Sequence, residues 1–184
     1  EDEPPPLSVV VAARNEADTL PALLDALADQ THPEHEVVIV DDASTDDTAA
    51  VADDWVSDRP HATLVHIDDP TSPRKKNALT RGIHAAEHDL LAFTDADCAP
   101  PPDWLSILAR SHASTEENCV LVGYSPLRGP GLLSYFSRYE TLVAGIYAVA
   151  AIGWERPYMA VGRNLSYPRS VFEAAGGFAP TDDA

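Results

Sequence analysis

At 184 residues with 45% hydrophobic content, the chain has the length and composition of one domain with its own core, which excludes a disordered polymer. Thirty acidic against twelve basic residues leave a formal charge of −18, which excludes a nucleic-acid binder needing a basic stripe. Self-repulsion at that charge weakens the compact state unless salt screens it, so the composition reads as adaptation to a saline cytoplasm.

Cys98 and Cys119 form no Cys-x-x-Cys pattern, so a reduced intracellular setting is expected rather than a disulfide framework. The apolar stretch Leu142 to Trp154 is too short to span a bilayer, and no signal peptide is read. The expected location is the cytoplasm. Attachment to the cytoplasmic face of a membrane would come only through segments outside these residues.

Residues 1–6 are an acidic, proline-rich lead-in, expected to be mobile. Leu7 to Ala13 is a β-branched run suited to a strand buried on both faces. Leu20, Leu23, Leu24 and Leu27 then share one helix face, with Pro21 in the first turn. Glu36 to Val40 predicts a second strand ending in Asp41 and Asp42. Ser44 and Asp47 predict a capping box opening a helix to about Ser57. Ala62 to Ile67 predicts a third strand, Asp68 to Arg74 a loop, and Lys75 to Glu87 a helix.

The next stretch, Leu90 to Pro100, organises the rest. Its apolar run predicts a fourth strand that delivers Asp95 and Asp97 at its end. Residues i and i+2 of an extended segment project to the same side, so the two carboxylates are expected to converge. A hard divalent cation carrying a diphosphate is the natural partner of such a pair. Downstream, Pro101 to Leu105 start a predicted helix, apolar at Leu105 and Leu108, and Cys119 to Gly123 predicts a fifth strand. Leu132 to Ile152 predicts a long apolar helix, expected to lie under the sheet as part of the core, the alternative being an acceptor- or membrane-facing surface. Tyr158–Val161 and Asn164–Tyr167 read as short strands, and Pro168–Ala175 as a helix stopped by Gly176 and Gly177. Alternating strands and helices predict a mostly parallel α/β sheet flanked by helices. Arg14–Glu16, Asp41–Asp42 and Asp95–Asp97 all fall at carboxyl ends of predicted strands, where such sheets bind ligands.

These clusters, in this order, resemble the family 2 nucleotide-sugar glycosyltransferases of the GT-A fold. The matching stretches are Ser8 to Glu16, Val38 to Asp46, Lys75 to Leu79, Phe93 to Asp97, Gly162 to Leu165 and Gly176 to Phe178. The resemblance implies that residues 7–123 are a nucleotide-sugar-binding half and 124–184 a smaller, truncated acceptor-side portion of one domain. It implies that Ala12, Arg14 and Glu16 line a nucleobase pocket and that Asp42 accepts a hydrogen bond from a uracil ring. Lys75 and Lys76 match a basic element near the nucleotide. Asp95 is expected near the ribose or a metal-bound water, and Asp97 as a direct ligand of Mg²⁺ or Mn²⁺. Gly162, Arg163 and Asn164 match a loop near donor sugar and acceptor. The implied reaction is inverting transfer from a nucleotide diphosphate, UDP foremost, to a hydroxyl of a sugar, lipid or other acceptor. Nucleic acid is not an expected partner.

Inverting transfer needs a general base on the acceptor hydroxyl. Family members supply it several residues beyond Gly-Gly-Phe, in a Gly-Asp-Asp or Glu-Asp element. Asp182 and Asp183 come early and lack the preceding glycine, so the base is expected beyond Ala184, with those two as secondary candidates. The alternative is a nucleotide-binding module without catalysis. A nucleotidyltransferase would carry a Gly-rich basic loop after the first strand, and an Asp-x-Asp phosphatase its pair there. This chain has neither. His32 and His35 flank Pro33 in a polar turn and are not read as metal ligands. Cys98 is read as a packed small residue.

Overall fold

The β-branched run near the start of the chain becomes the centre of the sheet. In the computed structural model, residues 4–69, 73–115, 118–126, 131–156 and 162–178 are described. Strand β1 (Leu7–Ala13) pairs in parallel with β2 (His35–Asp41) on one side and β4 (Leu90–Asp95) on the other. Strand β3 (Ala62–His66) lies outside β2, also parallel. Beyond β4 the direction alternates: β6 (Leu165–Pro168) runs antiparallel to β4, and the two-residue β5 (Leu121–Val122) antiparallel to β6. The spatial order is β3-β2-β1-β4-β6-β5. The fifth strand is thus shorter than the expected Cys119–Gly123. The strand expected over Tyr158–Val161 lies outside the described residues.

Both faces of the sheet are covered, as the continuous apolar run requires. Val9 and Val11 face one way, against Leu20, Leu23 and Leu24 of α1 (Leu20–Ala28) and Leu105 of α4 (Trp104–Ala113). Helix α2 (Thr48–Ser57) closes that side through Ala52. Val10 faces the other way, with Val38, Val40 and Phe93, against Ala78 and Ile83 of α3 (Arg74–Ala85) and Phe172 of α6 (Arg169–Ala174).

Gly82 sets how closely α3 approaches the sheet. A Cβ there would lie 2.5 Å from Val10 Cγ1 and 3.0 Å from Val40 Cγ2. Gly82→Val is expected to cost about 3 kcal/mol, the upper end for overpacking, because its gain in helix propensity is only a few tenths. An unchanged urea midpoint would contradict that close approach.

A polar network ties the amino ends of the strands. Buried Glu36 accepts hydrogen bonds from the Ser8 hydroxyl and the Glu87 amide, and the His88 amide donates to Ser8 Oγ at 3.0 Å. The Arg169 guanidinium donates to the carbonyls of Ile83, of Ala86 at 2.7 Å and of His88 at 3.0 Å, satisfying acceptors in the last turn of α3 and in the segment just after it. The carboxyl ends are left for ligands.

Two histidines make stability depend on pH. His112 bridges α4 to the Ser166 hydroxyl at 3.0 Å, and His32 packs fully buried against the Pro5 carbonyl at 3.1 Å. Burial lowers the pKa of both. The unfolded chain then takes up protons near pH 6.5 that the folded chain refuses, so this contribution is complete above that pH and lost below it. The melting temperature is expected to fall from pH 7.5 to 5.5, and less so in His112→Gln. A flat profile in the unsubstituted chain would contradict this.

Helix α5 (Leu132–Gly153) corrects the sequence expectation. It does not lie under the sheet: Tyr135, Phe136, Tyr139 and Ile146 are all more than half exposed. Its half-buried face carries small side chains, among them Ser137, Ala144, Gly145 and Ala148. Helical spacing of large apolar residues identifies one face but not what that face meets. Among the described residues no helix is long and apolar enough to cross a membrane.

Candidate functional site

From β1 the chain winds outward through β2 and β3, then crosses back through α3 to place β4 on the other flank of β1. The reversal opens a crevice beyond the carboxyl ends of β1 and β4, the usual ligand position in open α/β sheets. A cavity of about 350 Å³ occupies it. Its wall joins Ala12, Arg14 and Glu16 from β1 and its loop, Asp42 from the end of β2, and Asp95 and Asp97 from the end of β4. Ala12 stands in register between Val40 and Asp95, and its small side chain leaves the crevice open.

Side chains fasten the β1–α1 and β2–α2 loops together. Asn15 N donates to Ser44 Oγ at 3.1 Å, and Asn15 Oδ1 accepts from Thr45 N at 2.8 Å. Glu16 N donates to Thr48 Oγ1 at 2.7 Å, while Ala17 N donates to Asp46 at 3.2 Å. Bonds to Thr48, its hydroxyl foremost, hold the Asp46 carboxyl below its ordinary pKa. Asn15 and Ala43 both adopt left-handed backbone, at φ 54° and 51°. The expected capping box is therefore corrected. Ser44 receives an amide from 29 positions earlier, and α2 begins only at Thr48.

Asp41 and Asp42 point to different surroundings. Asp41 turns to the scaffold, accepting from Ser44 N at 3.3 Å with His66 Nδ1 at 3.8 Å. Asp42 lines the cavity although only 4% exposed. Its Oδ2 lies 3.3 Å from Arg74 Nε, and its Oδ1 is buried with no protein partner. A buried acceptor left open on a cavity wall costs stability unless a ligand N–H reaches it. Arg74 escaped the sequence reading because Pro70 and Pro73 assigned it to a loop. Pro73 instead sits at the N-cap of α3, making Arg74 its first residue.

Asp95 and Asp97 both reach the cavity wall, placed there by a turn and not by the pleat. Strand β4 stops at Asp95, and Cys98 N donates to the Asp95 carbonyl at 3.0 Å, closing a β-turn around buried Ala96. Lys75 Nζ lies 2.7 Å from Asp95 Oδ1 in an exposed pair that contributes little to stability. Asp97 is exposed, and the Cys98 thiol lies 3.8 Å from its Oδ1. Burial raises the Cys98 thiol pKa, which suits a packed residue. Among the described residues no three His, Cys, Asp or Glu side chains gather as a metal cage. Asp97, with Asp95 behind it, fits an ion that takes one or two carboxylates and completes its shell with phosphate oxygens and water.

Asp97 also borders a second cavity of about 290 Å³, with Trp104, Tyr124, Arg163 and Asn164. A 3₁₀ turn, Gly162–Asn164, delivers the last two. Asn164 Oδ1 accepts from Trp104 Nε1 at 3.0 Å, and its carbonyl accepts from Gly123 N at 2.8 Å. Arg163 Nε is buried without a partner. Gly162 does not reach the lining. Lys76 lies on a separate cavity with Asn77 and Phe172, so the structure brings only Lys75 of the two lysines to the site. Asp182 and Asp183 lie outside the described residues. Among described residues lining the second cavity, Asp97 is the only carboxylate.

The family model for glycosyl transferase family 2 matches residues 8–179. The chain belongs to that family. This family 2 chain is similar to the glycosyltransferase AglE of Haloferax volcanii, 31% identical over 103 residues that cover 55% of the chain and 33% of AglE. It is similar in structure to mannosyltransferase PcManGT of Pyrobaculum calidifontis, solved with GDP-Man and Mn²⁺. That likeness has a TM-score of 0.72 at 27% identity, over 97% of this chain and 48% of the other. TarS of S. aureus, solved with UDP-GlcNAc, is similar at TM-score 0.57 and 26% identity, over 69% of this chain and 36% of the other. The family 2 chain thus has the GT-A fold and spans about a third of the length of the curated relatives it matches.

Proposed function

We propose that this chain is the donor-binding part of an inverting glycosyltransferase that moves a sugar from a nucleotide diphosphate, UDP foremost, to an acceptor hydroxyl. The observation that carries the reading is one cavity with an open buried acceptor, Asp42 Oδ1, on its wall and an exposed carboxylate, Asp97, at its lip. Asp42 would take an N–H of the nucleobase, and Arg14 and Glu16 would line its pocket. Lys75 would lie near the nucleotide while holding Asp95. Asp97, supported by Asp95, would hold Mg²⁺ or Mn²⁺, which when bound supplies Lewis-acid stabilisation of the departing diphosphate. Arg163 and Asn164 would flank the donor sugar and the acceptor, the latter a sugar, lipid or other hydroxyl compound. The complexes of PcManGT with GDP-Man and of TarS with UDP-GlcNAc support a nucleotide-sugar donor.

A second reading is favoured by the second cavity, whose described lining offers no carboxylate besides Asp97 to serve as base. On that reading these residues bind donor and transfer nothing by themselves. A screen of nucleotide-sugars with Mn²⁺ separates the readings. Donor binding with slow hydrolysis or transfer supports the first, binding without turnover supports the second, and no binding overturns both. We further propose that the acidic composition is an adaptation to a saline cytoplasm.

A further inference from the structure

Helix α5 turns its small side chains inward and its large ones outward. On the inner side Gly145 lies beneath the Tyr124 ring, where a Cβ would sit 3.2 Å from Cδ2. On the outer side Tyr135, Tyr139, Leu142, Ile146 and Val149 are 67%, 64%, 47%, 60% and 70% exposed. Their spacing alternates four and three residues, the heptad spacing that keeps one apolar seam facing another helix. Phe136 and Tyr147 flank the seam, 57% and 63% exposed.

We propose that this seam is an interface between two copies of the chain, α5 of one packing on α5 of the other about a twofold axis. Charge favours this occupant. The chain carries −18, yet Leu132 to Gly153 contains one arginine and one glutamate, so the repelling charge lies elsewhere. The area is also sufficient. Seven such side chains offer roughly 100 Å² each, close to the roughly 800 Å² per partner of a stable interface. An isologous contact lets the same seam serve both copies. A membrane surface fits less well, because amphipathic helices that lie on lipid carry lysine and arginine along their polar face. The half-buried face of α5 instead has Ser134, Ser137 and Thr141, with Arg138 as its one base.

Sedimentation equilibrium of the 184-residue chain, at high micromolar concentration in molar KCl, tests the proposal. The expected mass is twice 19.8 kDa, or 39.6 kDa. Ile146→Glu and Leu142→Glu are each expected to weaken the dimer by about tenfold or more, with unchanged circular dichroism. Ile107→Glu, at another exposed apolar residue on α4, is expected to leave the dimer intact. A monomer at every salt concentration would overturn the proposal, as would a dimer indifferent to Ile146→Glu. Flotation of the monomer with phosphatidylcholine vesicles, lost in Ile146→Glu, would overturn it in favour of a lipid surface.

Discussion

Asp97→Ala is expected to remove the proposed metal dependence of nucleotide binding and to leave the fold standing. The carboxylate is exposed, with the Cys98 thiol 3.8 Å from its Oδ1, so the substitution should change stability by less than about 0.5 kcal/mol. Binding should respond far more. If Asp97 holds the ion that would stabilise a bound diphosphate, that ion would lose its protein anchor, and Mn²⁺-dependent affinity for UDP should fall about 100-fold. Asp95→Ala should cost less, because Asp95 is already engaged by Lys75 at 2.7 Å. Titration calorimetry with UDP, with and without Mn²⁺, reads both. Equal affinity under the two conditions in both the unsubstituted chain and Asp97→Ala would remove Asp97 from the metal site.

The second large effect is salt. Twelve basic residues cannot neutralise thirty acidic ones, and the exposed α2 surface alone places Asp53, Asp54 and Asp58 together. Screening shortens from roughly 10 Å at 0.1 M to roughly 3 Å at 1 M, below the usual spacing of such groups. The melting temperature should rise by about 10 °C or more between low and molar KCl. At roughly 2–4 °C per kcal/mol for a chain of this size, that amounts to several kcal/mol. Differential scanning calorimetry across KCl concentrations measures it, and a flat response would refute the adaptation to salinity.

Much of the fold was legible because burial leaves a period in the sequence. Leu7 to Ala13, short and β-branched, suited a strand covered on both faces, and three polar strand ends marked the open end of the sheet. What escaped depended on partners distant in sequence. Ser44 looked like a helix cap because Asp47 stands three residues on, yet its partner is the Asn15 amide on another loop. Arg74 looked like loop because two prolines precede it, yet its guanidinium pairs with Asp42 across 32 positions. Glu36 carried no local signal for a buried carboxylate held by Ser8 and Glu87. Helix α5 was placed correctly along the chain and wrongly in space. Its large residues share one face, and only the fold shows that the small face is the one turned inward. At the site the residue types were readable, but the turn that joins Asp95 to Asp97 was not.

The fastened loops beside the cavity at the ends of β1 and β4 have a consequence for how a ligand is met. Left-handed backbone at Ala43 carries a steric cost of roughly 1–2 kcal/mol, and it persists because neighbouring contacts over-determine it. The bonds of Asn15, Ser44 and Thr48 are such contacts, and they hold the segment next to Asp42 before any ligand arrives. A binding wall that is already ordered loses little further conformational entropy on association. The Asp42 side of the crevice is therefore pre-organised, and a ligand that enters it meets a fixed shape and one waiting acceptor.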